Sequence, residues 1–272
     1  METASATSVH PTAVVDPRAQ LGEGVQVGPF AVIGPEVVIG DACRIGPHVV
    51  LDGRVHMGRR NRIFPGACIG LEPQDLKYTG DPTAVVIGDD NTIRECVTIN
   101  RATKDQQETR LGSGNLLMAY SHLGHNCELG DRIVIANGVA VAGHVVIGDR
   151  AVIGGVLGIH QFVHIGTMAM VGGMSRIERD VPPFTMVEGH PARVRALNKI
   201  GLKRSGLADA DGGQALAELK RVWTLIYRQG LPLAQALAAL QQQELDGPAS
   251  ELVRFLEASL EPSRRGPIPG SR

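Results

Sequence analysis

Aromatic residues are scarce: five Phe, three Tyr and one Trp in 272 residues. A core with so few rings must be filled by Val, Ile, Leu and Ala. An excess of one charge is also missing. The 27 Lys and Arg nearly balance the 28 Asp and Glu, for a net charge of −1, which argues against a partner such as nucleic acid gripped over a broad basic surface. The four cysteines, Cys43, Cys68, Cys96 and Cys127, form no CxxC pair and no metal-ligand spacing. They read as small residues in a reduced, cytoplasmic protein. The stretch from Met1 to Ser8 lacks the basic region and apolar run of a secretion signal. The most apolar stretch, 133–159, carries His144, Asp149 and Arg150, whereas a membrane span needs about 20 nearly uninterrupted apolar residues. No stable membrane insertion is expected. The apolar content of 43% excludes wholesale disorder.

What the chain has is a repeat. Stepping by six from Val9 gives Val15, Leu21, Val27, Ile33, Ile39, Ile45, Leu51, Met57, Ile63 and Ile69, then Ile87, Ile93 and Ile99, then Leu111 through Ile177 without a break. Of the 29 positions in this phase, 26 are Val, Ile, Leu or Met, and Gly follows in 15. An α-helix cannot use such a step, because six residues rotate by about 600° and scatter the aliphatics around the axis. Short strands joined by corners can use it. The branched residue points inward, and the small residue after it is expected to let the backbone turn. Three hexads make an 18-residue triangular coil, and about nine coils stacked 4.8 Å apart give a prism roughly 40–45 Å long.

The repeat lapses at 71–86 and 100–110, both polar and rich in turn formers. They read either as tolerated surface insertions or as loops that build a site beside the prism wall. After Ile177 the period ends, and Asp180-Val181-Pro182-Pro183 marks a break. The expected division is a β-helix over 1–190 and a helical domain over 191–272, with helices near 214–228, 233–245 and 249–260. The tail from Glu261 to Arg272 reads as frayed.

Five of the nine histidines fall within 122–164: His122, His125, His144, His160 and His164. None is in the inward phase, so they decorate corners or outer faces. Two chemistries suit the cluster. One neutral imidazole can act as a general base near pH 7. Three can bind zinc and leave a position for water, as in the β-helical carbonic anhydrases. The spacings of 19 from His125 to His144 and 16 from His144 to His160 are each near one coil. They predict a ladder along one edge, which suits an elongated substrate better than a compact metal site. Neither a GxSxG elbow nor a GxGxxG loop occurs.

The hexads resemble the left-handed parallel β-helix of the hexapeptide-repeat acyltransferases, and the left hand is an implication of that resemblance alone. QDLKYTGDPT, GNLLMAYSHLGHNC, AGHVVIG, HQFVHIG, MVGG, DVPPF and LNKIGLKRSG together look like the UDP-N-acetylglucosamine O-acyltransferase family, from Val9 through the helical tail. The resemblance implies a homotrimer with sites in clefts between prisms. It implies transfer of an (R)-3-hydroxyacyl group from the phosphopantetheine of acyl carrier protein to the 3-hydroxyl of UDP-GlcNAc, with no metal and no separate cofactor. By the same resemblance His125 is the general base, and a backbone N–H near Gly143 holds the oxyanion. His122, His144, His160 and Gln161 contact substrate, as do Asp75 and Lys77 on the first loop. Asn198 and Arg204 contact nucleotide or carrier phosphate, and Gly173 limits acyl length. A sister N-acyltransferase of lipid A synthesis and a zinc-dependent lyase are the alternatives.

Direct transfer from a thioester agrees with the residues themselves, since a base, an oxyanion donor and positioning suffice. The basic run Arg193, Arg195, Lys199, Lys203 and Arg204 suits an acidic carrier or a diphosphate, or is a solvated helix face. Several positions depart from the family pattern. Asn126 replaces an acidic residue after the base, and Asn can orient an imidazole but cannot stabilise imidazolium by charge. Asn100 and Ala102 replace the His and Gly of a loop motif. Ile200, Ser205 and Pro191 stand where Glu, Arg and His occur in relatives.

Overall fold

The structure, a computed structural model, describes residues 6–207 and 209–271. It is a left-handed parallel β-helix with three walls, followed by a small helical domain. Sheet I starts at Ser8–Val9 and has eleven strands, sheet II starts at Val14–Val15 and has nine, and sheet III starts at Gln20–Leu21 and has eight. Each inward aliphatic stacks on its counterpart one coil later, as in Val27 on Ile45 and Ile135 on Ile153. From Val27 to Ile177 the strand residues of the six-step series are buried, so the aliphatic pattern is the core.

The corners do not turn where the hexad predicts. Left-handed backbone falls three residues after the inward aliphatic, and most of those residues are not glycine: Ala42, His48, Arg60, Tyr120, Asn126, Arg132, His144, Val156 and Phe162 all have φ near +60°. The glycine directly after the aliphatic has another task. A Cβ at Gly40 would lie 2.7 Å from the Gly58 carbonyl carbon, and one at Gly154 would lie 2.4 Å from the Gly173 nitrogen. Those glycines let successive coils approach. At the edge between sheets III and I, buried Asn61, Asn91 and Asn115 form a ladder, each side-chain oxygen accepting a backbone N–H from the next coil at 2.7–2.9 Å. The buried thiol of Cys127 is pushed up to about 12 by burial, so it is an inert packing group.

Both lapses in the repeat leave the prism at one edge, between sheets II and III. Ile69 pairs with Ile99, thirty residues on, and Ile99 pairs with Leu123, twenty-four on. The excursions are shorter than the polar stretches, because Ala84–Ile87 and Glu108–Leu111 are already strands. The excursions proper are 72–83 and 101–107.

The repeat slips rather than ends after Ile177. Val181 bridges to Ile165 and Val187 pairs with Val171, each sixteen residues on, so a two-residue shortening keeps both side chains in the core. The expected boundary at 190/191 cuts a hairpin, Thr185–Gly189 with antiparallel Ala192–Leu197, which closes sheet I. The helical domain starts after Leu197. It comprises α1 (Lys199–Arg204), α2 (Gln214–Arg228), α3 (Leu233–Leu240) and α4 (Gly247–Ser259). α3 ends before the polar run Gln241–Gln243, short of the expected 245. Leu219, Val222 and Ile226 of α2 pack with Leu252 and Leu256 of α4.

The tail is not frayed. Pro267 and Gly270 bridge to Asp180 and Val194, and Ile268 is buried. Asp180 is fully buried and anchors this return. One carboxylate oxygen accepts from Ser259 Oγ at 2.7 Å and from Arg264 at 2.8 Å, and the other accepts from the His164 N–H at 2.8 Å.

Candidate active site

The edge between sheets II and III stacks five features in successive coils: the loop 72–83, the loop 101–107, His125 with Asn126, Gly143 with His144, and Gln161 with Phe162. The loops hold each other. The Arg101 guanidinium donates to the Tyr78 hydroxyl at 2.8 Å and to the Gly70 carbonyl at 2.9 Å. Thr83 Oγ donates to the Ala102 carbonyl at 2.6 Å. The departures at 100 and 102 have structural roles here. Buried Asn100 donates to the Glu72 carbonyl at 2.8 Å, and the Ala102 side chain is fully buried beneath the loops.

His125 is half-buried, and its ring is fixed on one side. Nδ1 lies 3.0 Å from Thr103 Oγ1 and 3.0 Å from Asn126 Oδ1. That Asn126 oxygen already accepts the Thr103 backbone N–H at 3.1 Å, while the Asn126 amide donates to Gln107 at 2.8 Å. The oxygen therefore faces His125 as an acceptor, Nδ1 carries the proton, and Nε2 keeps its lone pair. On the Nε2 side, Asp75 Oδ2 stands 3.9 Å away and also accepts from Thr103 Oγ1 at 3.2 Å. The Lys77 N–H on Asp75 holds that carboxyl below the usual carboxylate range; burial opposes the shift and the Thr103 hydroxyl adds to it. Gly143 fits against the imidazole, where a Cβ would be 2.5 Å from both Cε1 and Nε2.

The ladder continues differently from its expected form. His144 meets His125 edge-on at 5.1 Å, but the ring stacked on His144, at 4.7 Å, is Phe162 and not His160. Corner geometry decides this: 126, 144 and 162 share the left-handed slot, whereas His160 lies two residues earlier and is exposed. His122 hydrogen-bonds Thr98 at 2.7 Å, one coil from the loops. Burial, and then the charge of His125, keeps both His122 and His144 below the ordinary imidazole range. Among the described residues, no three His, Cys, Asp or Glu side chains converge to hold a metal ion.

One chain does not bring all the expected residues together. Asp75, Lys77, His122, His125, Asn126, Gly143, His144, His160 and Gln161 lie at or beside the edge between sheets II and III. Gly173 is exposed at the edge between sheets I and II, on the same ladder as Gly155. Asn198 caps α1, its Oδ1 accepting from the Gly201 N–H at 3.0 Å. With Arg204 it lines a cavity of about 890 Å³, whose walls include Arg150, Val152, Met170 and Ile200. That cavity faces sheet I, across the whole of sheet III from His125. A smaller cleft of about 290 Å³, lined by Gln107, Asn126, Glu128 and His144, lies beside the same edge as His125, next to Asn126 rather than to the His125 ring itself. The basic run is split: Arg193 and Arg195 are on the closing strand and only Lys199, Lys203 and Arg204 are on α1, so it is not one helix face.

Thr103, Gln107 and Phe162 were not legible as site residues. One available signal was coil arithmetic, which places the two polar lapses at the same corner as SHLGHNC.

Comparison with known proteins gives the family. A bacterial transferase hexapeptide profile matches residues 18–53 and 108–143, and a profile for UDP N-acetylglucosamine O-acyltransferase, domain 2, matches 180–268. The acyl-[acyl-carrier-protein]--UDP-N-acetylglucosamine O-acyltransferase of a Synechocystis species is 56% identical over 78% of this chain and 76% of its own length. The protein of the same name from a Janthinobacterium species is 47% identical over 96% and 98%. The solved structure of LpxA from Acinetobacter baumannii superposes with a TM-score of 0.88 at 40% identity, covering 96% of this chain and 99% of that one. The UDP-N-acetylglucosamine acyltransferase of Francisella novicida gives 0.90 at 35% identity, covering 97% and 95%. This chain therefore belongs to the UDP-N-acetylglucosamine O-acyltransferase family.

Proposed function

We propose that this protein transfers an (R)-3-hydroxyacyl group from the phosphopantetheine thioester of acyl carrier protein to the 3-hydroxyl of UDP-N-acetylglucosamine, the first step of lipid A biosynthesis. Family membership supports the activity. The observation that carries the mechanism is the fixed tautomer of His125, which leaves Nε2 ready to accept a proton on the side that faces Asp75.

His125 Nε2 takes the proton of the sugar hydroxyl as that oxygen attacks the thioester carbonyl carbon. A tetrahedral oxyanion forms and is stabilised by the backbone N–H of Gly143, the residue packed against the ring. The carbonyl re-forms, the carbon–sulfur bond breaks, and the departing sulfur takes the proton from Nε2. The products are the acylated sugar nucleotide and the carrier thiol. Asp75 and Lys77 bind the sugar nucleotide, with His122, His144, His160 and Gln161 along the same edge. No group beyond these two substrates is required by the scheme.

The working unit in this reading is a homotrimer. The expected site residues of one chain lie on separate edges, and the outward residues of sheet I are apolar along Leu116, Val134, Val152, Met170 and Met186. Seating that face against a neighbour's His125 edge brings Asn198, Arg204 and Gly173 to the catalytic ring and covers the apolar strip. No helix among the described residues is long and apolar enough to cross a membrane. The reading assigns the reaction to the cytoplasm, a setting that the four free thiols fit.

The test is incubation with UDP-N-acetylglucosamine and a panel of acyl carrier protein thioesters, reading products by mass. A product heavier by one hydroxyacyl group is expected, with His125→Ala lowering turnover by orders of magnitude while the assembly persists. Mixing His125→Ala chains with Arg204→Ala chains is expected to restore part of the activity, because some shared sites are then intact. No acylated product from any donor would refute the reading.

A further inference from the structure

Base catalysis turns His125 into an imidazolium, and the site has to accommodate that charge. The charged or titratable groups facing the ring are Asp75 and Lys77 on the first loop, His122 on the same coil and His144 one coil on. Asn126, in direct contact with Nδ1, is neutral. Asp75 is the anion among these groups, and it reaches the ring twice. Its Oδ2 is 3.9 Å from Nε2, and the same oxygen accepts from Thr103 Oγ1, whose lone pair accepts from Nδ1 at 3.0 Å. Thr103 is buried, and its hydroxyl has one donor and one acceptor interaction in line between the carboxylate and the imidazole. A hydroxyl in this position transmits negative charge without moving a proton: the Nδ1 proton stays on the ring, and the hydroxyl proton stays on Thr103.

We propose that Thr103 is a positioning residue for the base. Through it the Asp75 carboxylate orients and stabilises the His125 imidazolium, while Asn126 sets only the tautomer. This assigns Asp75 an electrostatic task in addition to holding substrate, and it rests on the acyltransferase reading above.

Thr103→Val keeps the branched shape and deletes the hydroxyl, whereas Thr103→Ser keeps the hydroxyl. The valine variant is expected to lose roughly 10²-fold in kcat with KM for UDP-N-acetylglucosamine changed less than about threefold. The serine variant should stay within a few-fold of the parent. A second substitution separates charge supply from loop packing. Asn126→Asp puts a carboxylate about 3.0 Å from Nδ1 and is expected to recover at least tenfold of the kcat lost in Thr103→Val, and likewise of that lost in Asp75→Asn. A packing defect at Thr103, or a purely substrate-binding role for Asp75, has no reason to be rescued by that change. If Thr103→Val does not fold, Asp75→Asn with and without Asn126→Asp, altered on the loop alone in the first case, decides the question by the same rescue. Full kcat in Thr103→Val, or no rescue by Asn126→Asp in either background, overturns the relay. Those outcomes differ from failure of the parent reading, in which the unmodified enzyme makes no product or His125→Ala keeps its full rate.

Discussion

Replacing Gly143 by alanine separates two tasks that meet at that residue. The backbone N–H proposed for the oxyanion is unchanged by the substitution, and Gly143 lies outside the left-handed region, so an alanine backbone is unstrained there. What changes is space. The new methyl carbon would sit 2.5 Å from Cε1 and Nε2 of His125, where ordinary contact is about 3.5 Å. The ring must retreat by about 1 Å, and a displacement of that size costs about 10²-fold when it misplaces a catalytic group. The neighbours block an easy retreat, because Nδ1 is held by Thr103 and Asn126 and the ring already meets His144 edge-on. Steady-state kinetics with both substrates should show a fall in kcat of that order with the assembly and melting temperature preserved. A structure of the variant should show the imidazole displaced from Thr103. Wild-type kcat in Gly143→Ala would mean that the position of this ring does not govern the reaction, and the base assignment would fall with it.

Three further expectations follow from packing and charge. Asp180→Ala leaves Arg264, Ser259 and the His164 N–H facing a buried gap, and loss of one partner of a buried ion pair costs about 3–5 kcal/mol; urea titration followed by circular dichroism should show the helical signal lost earlier. His122, His144 and His164 are each held below the ordinary imidazole range, first by burial. A lowered folded value means that their stabilisation is complete above the unfolded value of about 6.5 and is lost as pH falls through the folded values, so the melting temperature should drop on acidification below neutrality, and His164→Gln should flatten part of that slope. Val156 is a branched residue, 69% exposed, in a left-handed corner at φ +55°. Val156→Asn relieves about 1 kcal/mol of strain and should raise the melting temperature, whereas an unchanged or lower value would contradict the strain argument.

The prism was legible because its core is a periodic signal. Leu117, Leu123, Ile135 and Ile153 announce their burial by spacing alone, and SHLGHNC marks the corner that carries His125 by composition. What stayed hidden depends on residues distant in sequence. Nothing near Thr103 shows that its hydroxyl will face His125, since that contact needs two irregular loops to fold over one edge. The turn positions were misplaced for a related reason: glycine suggests a left-handed turn, but here it mostly answers the closeness of the next coil. The tail was misread because Pro and Gly suggest disorder, and its anchor, Asp180, lies 84 residues before its partner Arg264. The division of site residues among edges is invisible in sequence order, where His125 and Asn198 appear to belong to one line of motifs.

The clasp between the two loops bears on how segments could be exchanged with relatives. The column beneath tolerates grafts, because both excursions leave and rejoin it without disturbing the aliphatic stack. The excursions are not independent parts, however, since Arg101, Asn100 and Thr83 tie one to the other. A chimaera that imports 72–83 alone would arrive without its latch, so the two excursions have to be moved as a matched pair.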